Sequence, residues 1–310
     1  MASFQTLNEL GAKRKPFLFV CDYKAQNLEI FELDSKEVLY SFESEYNYTQ
    51  HNYRFETTPI NKALYTKKFS KVIEEIKSGN TYLLNLTQPT KISTPLSLEQ
   101  IYHSANAKYK LKLRDEFVCF SPEAFIDIKE NAIHTYPMKG TIDASISNAR
   151  EKILANEKEM AEHIMVVDLL RNDLSMVATK VRVEKFRFCT TIDAGEKKLL
   201  QVSSHIRGEL EQDWHSSIGD ILKTLLPAGS ITGTPKKKTM QIIDEIEGYE
   251  RGFFSGVFGV YDGVGLQSAV MIRFVEKTTQ GYIYKSGGGI TLESDCKSEY
   301  DELLQKVYLP

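Results

Sequence analysis

The sequence predicts an α+β fold built on antiparallel sheets, and three observations carry that expectation. Short apolar runs come in groups, joined by turn residues rather than by helices. Strict strand–helix alternation, the signature of a parallel sheet, is missing. Apolar residues make up 42% of 310, enough for a sizeable core, and no apolar run approaches the length of a membrane span. Without a linker, low-complexity stretch or internal repeat, residues 1–310 read as a single domain.

The elements follow in order. Residues 17–21 (FLFVC), 28–33 and 37–42 read as short strands. Residues 63–78 form an amphipathic pattern stopped by Gly79-Asn80, and TYLLNLTQ follows as a strand. Residues 115–140 give three strand-like runs, broken at Ser121-Pro122 and Glu130-Asn131. Two Asn-x-x-Glu boxes, Asn148 to Glu151 and Asn156 to Glu159, each predict a reciprocally capped helix start. The second opens a helix of about five turns, EKEMAEHIMVVDLLRNDL. Strands are expected near 181–188 and 199–208, then a helix over 215–226, the loop PAGSITGTPKKK and a helix over 236–247. Strands at 253–261, 266–276 and 281–286 follow, with Arg273 on the second of these. SGGGI then reads as a glycine turn leading into a last helix.

Composition excludes several functions. A formal net charge of -3 gives no drive toward nucleic acid or membrane, and the Lys236–Lys238 cluster reads as a short solvated run. Cys21, Cys119, Cys189 and Cys296 form no Cys-x-x-Cys pair, and the first residues lack the apolar stretch of a signal peptide. A reducing, cytoplasmic location is therefore expected.

The chemistry-bearing residues are few. Lys139, between Pro137 and a Gly-Thr turn, is either an ordinary surface charge or a nucleophile. Glu159 and Glu162 share one helix face, as do Glu299 and Glu302, with Lys306 one turn further on. Each pair is either a solvated acidic face or half of a Mg²⁺ site, since that ion takes oxygen ligands and needs only one or two protein carboxylates. Gly229 and Gly233 offer backbone N–H groups before a helix, which can hold a carboxylate or phosphate, or can simply turn the chain. Arg273 can clamp a carboxylate in two-point fashion.

Read as a set, SPEAF, PMKGT, AEHIMVVDLLRNDL, PAGSITGTPK, RGFFSGVFGVYDG, VMIRF and GGGITLESDCKSEYDELLQK resemble the chorismate-utilising enzymes. These strings run in family order from about residue 60 to 310, preceded by a short N-terminal strand segment over 15–45. The fold implied is an anthranilate-synthase-like α/β sandwich, two central antiparallel sheets flanked by helices. The lysine of PMKGT is similar to that of aminodeoxychorismate synthase component I, where anthranilate synthases carry alanine. Leu83 stands where isochorismate and salicylate synthases carry a lysine base.

The resemblance implies a transferase converting chorismate and ammonia to 4-amino-4-deoxychorismate, on the way to p-aminobenzoate and folate. It implies Lys139 as nucleophile and Glu123 as acid–base group. It implies Mg²⁺ on Glu162 and Glu302, with Glu159 and Glu299 supporting. Lys306, Gly229, Ser230, Gly233 and Thr234 would hold the ring carboxylate, Arg273 and Gly289 the enolpyruvyl carboxylate, and Thr141 would bond near the ring. Gln201 and Phe254 stand where relatives carry histidine and tyrosine, and no Leu-Leu-Glu-Ser element for tryptophan is present. No cysteine sits in the Gly-x-Cys-x-Gly elbow of a glutaminase, so a separate glutamine amidotransferase subunit is the expected ammonia source. The alternatives are an anthranilate synthase component I or a catalytically silent chorismate-binding subunit.

Overall fold

The computed structural model describes residues 2–43, 53–194 and 197–309; the end of the expected 15–45 segment lies outside them. The first third comprises α1 (Phe4–Ala12), β1 (Phe17–Cys21), β2 (Leu28–Phe31), β3 (Val38–Ser41), β4 (Glu56–Thr58), α2 (Lys62–Lys77), β5 (Leu83–Ser93) and α3 (Leu98–Ser104). The middle holds β6 (Tyr109–Leu113), β7 (Phe117–Ser121), β8 (Ala124–Lys129), β9 (Ala132–Thr135), β10 (Met138–Asp143), α4 (Ala149–Ala155), α5 (Glu157–Ser175), β11 (Thr179–Ala194) and β12 (Lys197–Glu209). The rest is α6 (Ile218–Leu225), β13 (Gly233–Thr234), α7 (Lys236–Glu247), β14 (Val257–Tyr261), β15 (Leu266–Val270), β16 (Phe274–Thr278), β17 (Gly281–Ile290) and α8 (Cys296–Gln305).

Among the described residues these strands make two antiparallel sheets. The first runs β10-β12-β9-β8-β15-β14-β1-β2, with β11 paired to β12. The second runs β13-β5-β17-β16-β7-β6-β3, with β4 paired to β5. The sequence of β1 explains the layering. Phe17, Phe19 and Cys21 pack with α5 and α6 residues on one face, while Leu18 and Val20 pack between the sheets on the other. A strand buried on both faces reads as a continuous apolar run, which is why FLFVC does not alternate. The outer face of the second sheet is covered by α3 and by α2, α7 and α8. The two sheets are thus sandwiched between helices, as the resemblance implied. Among the described residues no helix is long and apolar enough to cross a membrane.

Several expectations need correction. The run 131–140 is two strands, because Pro137 breaks it, and 215–226 begins as a 3-10 turn over Trp214–Ser217. SGGGI is not a turn: it is the end of β17, paired residue for residue with β5. Residues 266–276 are not one strand. Arg273 has a left-handed φ of 52° and sits where the chain leaves the first sheet for the second. Asn148 does not cap α4; its own φ is 56° and its side chain makes no cap bond. Asn156 does cap α5, accepting from the N–H of Glu159. Lys236 is not solvated; its ammonium lies 2.8 Å from buried Asp173 and donates to the Leu225 carbonyl.

Two antiparallel crossings between the sheets build the site. β7 passes into β8 at Pro122-Glu123, and β15 passes into β16 at Arg273. The crossings are stitched together: Val270 N–H donates to the Glu123 carbonyl and Phe120 N–H to the Arg273 carbonyl, both at 3.2 Å. Glu123 and Arg273, far apart in sequence, are brought side by side by that pairing.

Candidate active site

A cavity of about 380 Å³ opens at these crossings. Its floor is the last part of β17. β16 pairs with β17 only as far as Lys285, so the edge beyond carries unpaired backbone groups. Lys306 donates to the Gly287 carbonyl at 2.8 Å on this edge, and the two-residue strand repeat aims the Gly289 N–H the same way. Glycine is required at 287, because a Cβ there would lie 2.5 Å from Thr87 and from the Leu86 carbonyl.

Lys139 enters from the other sheet. Its register against β12 slips between Met138 and Thr141, so Lys139 and Gly140 form a bulge, a device that re-aims a side chain. Gly140 has φ +89°, a left-handed conformation that favours glycine after the lysine, and a Cβ on it would lie 3.2 Å from the Glu159 carboxylate. Behind the bulge Ser204 holds the strand. Its N–H donates to the Pro137 carbonyl, and its hydroxyl bonds His163 at 2.7 Å. The Lys139 ammonium stands 3.3 Å from Glu162 and 3.5 Å from the Cβ position of Gly289.

Glu123 accepts a hydrogen bond of 2.5 Å from Ser230. Burial pushes its carboxyl up, opposed by that bond and by Lys139. A carboxyl raised in this way can hold a proton and deliver it, as a general acid must. Glu159 is raised by burial and then by the charge of Glu162; Glu299 is raised by burial and, after the opposing Ser294 bond, by Glu302. Burial also acts to raise Glu302, but Lys306 at 2.5 Å outweighs it and holds the carboxyl low.

Of the residues singled out from sequence, the cavity brings together Lys139, Glu123, Thr141, Ser230, Arg273, Gly289, Lys306 and the glutamates 159, 162, 299 and 302. Gly229, Gly233 and Thr234 stand behind its wall. Gly233 and Thr234 pair with Leu84 and Leu83, and Gly229 packs against Asp173 and Leu169. The Arg273 guanidinium lies 5.6 Å from the centre of the Tyr308 ring, with its Nε lacking a protein partner. Asn85, Thr87, Lys158, Lys285 and Ser298 also line the cavity and were not singled out. Alternation could have found two of them: Asn85 and Thr87 are the polar positions at a two-residue spacing inside TYLLNLTQ.

Among the described residues no three acidic or imidazole side chains converge as a ready ligand group, and Glu162 is engaged by Lys139 and Glu302 by Lys306. The donor set nevertheless fits a divalent cation. Five cationic side chains and five glutamates line the cavity, and Glu159, Glu162, Glu299 and Glu302 supply the oxygen donors that such an ion takes.

The sequence pattern of the chorismate binding enzyme family matches residues 17–309. A Haemophilus influenzae protein described as PabA-like is 48% identical over 98% of this chain and 94% of its own length. Aminodeoxychorismate synthase component 1 of Bacillus subtilis is 34% identical over 77% of this chain, which spans only 54% of that enzyme. The menaquinone-specific isochorismate synthase of Escherichia coli superposes with a TM-score of 0.75 over 99% of this chain and 81% of its own; at 16% identity it shows the shared fold alone. On the profile match across nearly its whole length, this chain belongs to the chorismate binding enzyme family.

Proposed function

We propose that the chain aminates chorismate at C4, giving 4-amino-4-deoxychorismate for p-aminobenzoate and folate synthesis. The observation that carries this reading is Lys139: a bulge aims its amine into the cavity that also holds Glu123 and the glycine edge. The relatives named aminodeoxychorismate synthase component 1 support the same substrate and reaction. Leu83, buried beside Gly289, offers no base to activate water, which argues against hydration of the ring.

Glu162 and Glu302, with Glu159 and Glu299 behind them, would hold Mg²⁺, which when bound supplies positive charge for the ring carboxylate. Lys306 and Ser230 flank that carboxylate, and Arg273 with the Gly289 N–H takes the enolpyruvyl carboxylate. The free amine of Lys139 attacks C2. Both double bonds of the ring diene shift, from C1=C2 to C1=C6 and from C5=C6 to C4=C5, the C4–O bond breaks, and the hydroxyl leaves as water with a proton from Glu123. Ammonia then attacks C4 and passes a proton to Glu123, both double bonds shift back to C5=C6 and C1=C2, and the C2–N bond breaks to release Lys139.

Ammonia would come from a separate glutamine amidotransferase subunit. The four cysteines lack a glutaminase elbow, and Cys21 and Cys119 are buried. Incubation with chorismate, Mg²⁺ and an ammonium salt, followed by mass analysis of the product, tests the whole reading. Anthranilate with pyruvate would instead identify an anthranilate synthase, and no turnover a silent chorismate-binding subunit. Glutamine alone should give no product until an amidotransferase subunit is added.

A further inference from the structure

We propose that Lys285 is a second cation for the side-chain carboxylate of the substrate, acting with Arg273. The inference rests on the chorismate reading above. Lys285 precedes Gly287 and Gly289 by two and four residues on β17, so strand periodicity puts all three on one face. Their partners on β5, Thr87 opposite Gly287 and Asn85 opposite Gly289, flank the same face. The two glycines leave a trough there. Lys139 stands over its Gly289 end, and Lys285 closes the other.

Lys285 is only 4% exposed. Its ammonium donates to the Arg251 carbonyl at 3.0 Å and pairs with Glu276 at 2.8 Å. An ammonium has three donors, and these are its two polar partners among the described residues, so one N–H is without a polar partner there while the residue lines the cavity. The Tyr249 and Phe274 rings lie 5.8 and 5.7 Å from the ammonium and offer it their faces.

The position is also held fixed. Arg251 is buried, paired to Glu247, and its guanidinium donates to the carbonyls of Asn85 and Ile231. The carbonyl that receives Lys285 therefore belongs to the same rigid frame as the cavity wall. Of the five lining carboxylates, Glu159, Glu162, Glu299 and Glu302 belong to α5 and α8, and Glu123 accepts from Ser230. The Lys285 end is walled instead by Thr87, Ser255 and the ring of Phe254, which has no donor of its own. An anion that reaches this end meets an ammonium that it shares with Glu276.

The test is a calorimetric titration with two ligands. One is chorismate; the other is the dihydroxycyclohexadiene carboxylate that keeps the ring and its carboxylate but lacks the enolpyruvyl group. Lys285→Met should weaken chorismate about tenfold to a hundredfold, the range for losing a charge-assisted hydrogen bond. It should leave the ring-only ligand unchanged, and KM should change more than kcat. Should Glu276, left without its partner, prevent folding, Lys285→Met with Glu276→Gln removes that charge and carries the same expectation. Unchanged chorismate affinity, or an equal loss for both ligands, would overturn the proposal. Wild-type protein that bound no chorismate would overturn both this inference and the reading beneath it.

Discussion

Two cation–carboxylate pairs, one lining the cavity and one in the frame behind it, are built to opposite specifications. Arg251 and Glu247 are about 2% exposed and meet through two bonds, at 2.6 and 2.9 Å. Every remaining direction is used: Glu247 also receives the N–H and hydroxyl of Thr87, and Arg251 also reaches the carbonyls of Asn85 and Ile231. Lys139 and Glu162 meet once, at 3.3 Å, and are 28% and 17% exposed. A saturated buried pair cannot exchange partners without exposing a stranded charge, so it serves as frame. A single, partly hydrated contact can be given up to a substrate or a cation. Saturation, more than the presence of a salt bridge, separates the structural pair from the working one.

The largest expected effect falls on the working side. Glu162→Ala and Glu302→Ala should each abolish turnover while the melting temperature stays close to wild type, because alanine suits a helix and both pairs are partly exposed. EDTA should do the same, reversibly with Mg²⁺. Full activity in excess chelator would reduce both acidic pairs to surface charge.

Next comes the frame. Arg251→Leu strands the Glu247 carboxylate and should cost about 3–5 kcal/mol in a denaturant titration. Lys139→Ala should cost at most about 1 kcal/mol by the same measurement. Equal costs would erase the distinction drawn between the pairs.

A smaller effect is expected from pH. Burial, and then the neighbouring charge of His205, lowers His134 to about 4. A folded value below the unfolded one means the neutral ring contributes stability that is present above the ordinary 6.5 and lost as pH falls toward 4. Glu123 has the opposite sign. Its folded value is raised, so its contribution is complete at low pH and declines as pH climbs through the raised value. His134→Asn should flatten the acid side of the stability curve, and Glu123→Gln the side above the ordinary carboxylate range. Unaltered curves would contradict those assignments.

The smallest effect separates two sequence boxes that look alike. Asn156→Ala removes a real cap and should cost about 1 kcal/mol, whereas Asn148→Ala removes no cap bond. Asn148→Gly should be neutral or better, since φ is 56° there. Equal cap losses at both positions would mean that α4 and α5 start alike.

Those boxes also show what the sequence made legible. Local signals were readable: α7 was expected over the residues it occupies, and α5 within one residue of its end. Motif order was enough for the sandwich. Pairing between distant segments was not readable. Nothing local says that Arg273 turns the chain from one sheet to the other, or that an eleven-residue partner, β5, keeps Gly287–Gly289 extended. Helices α1 and α3 are short and depend on packing, so their patterns were too brief to register. Within the site, charged residues on motifs were found, but the buried groups that aim them were not. His163, Ser204 and Arg251 act through hydrogen bonds to partners up to 166 positions away, as Arg251 does to Asn85.

The most direct test of the central claim is the mass of the intact protein after exposure to chorismate and Mg²⁺ without ammonia. The account predicts an adduct equal to chorismate less one water, mapped to the peptide containing Lys139 and discharged when ammonia is added. Lys139→Ala should form none, and Lys139→Arg none either, because a guanidinium does not give up its proton. If no adduct forms on the wild-type chain and Lys139→Ala keeps its ammonia-dependent rate, Lys139 is an electrostatic neighbour of Glu162 and the covalent route is wrong.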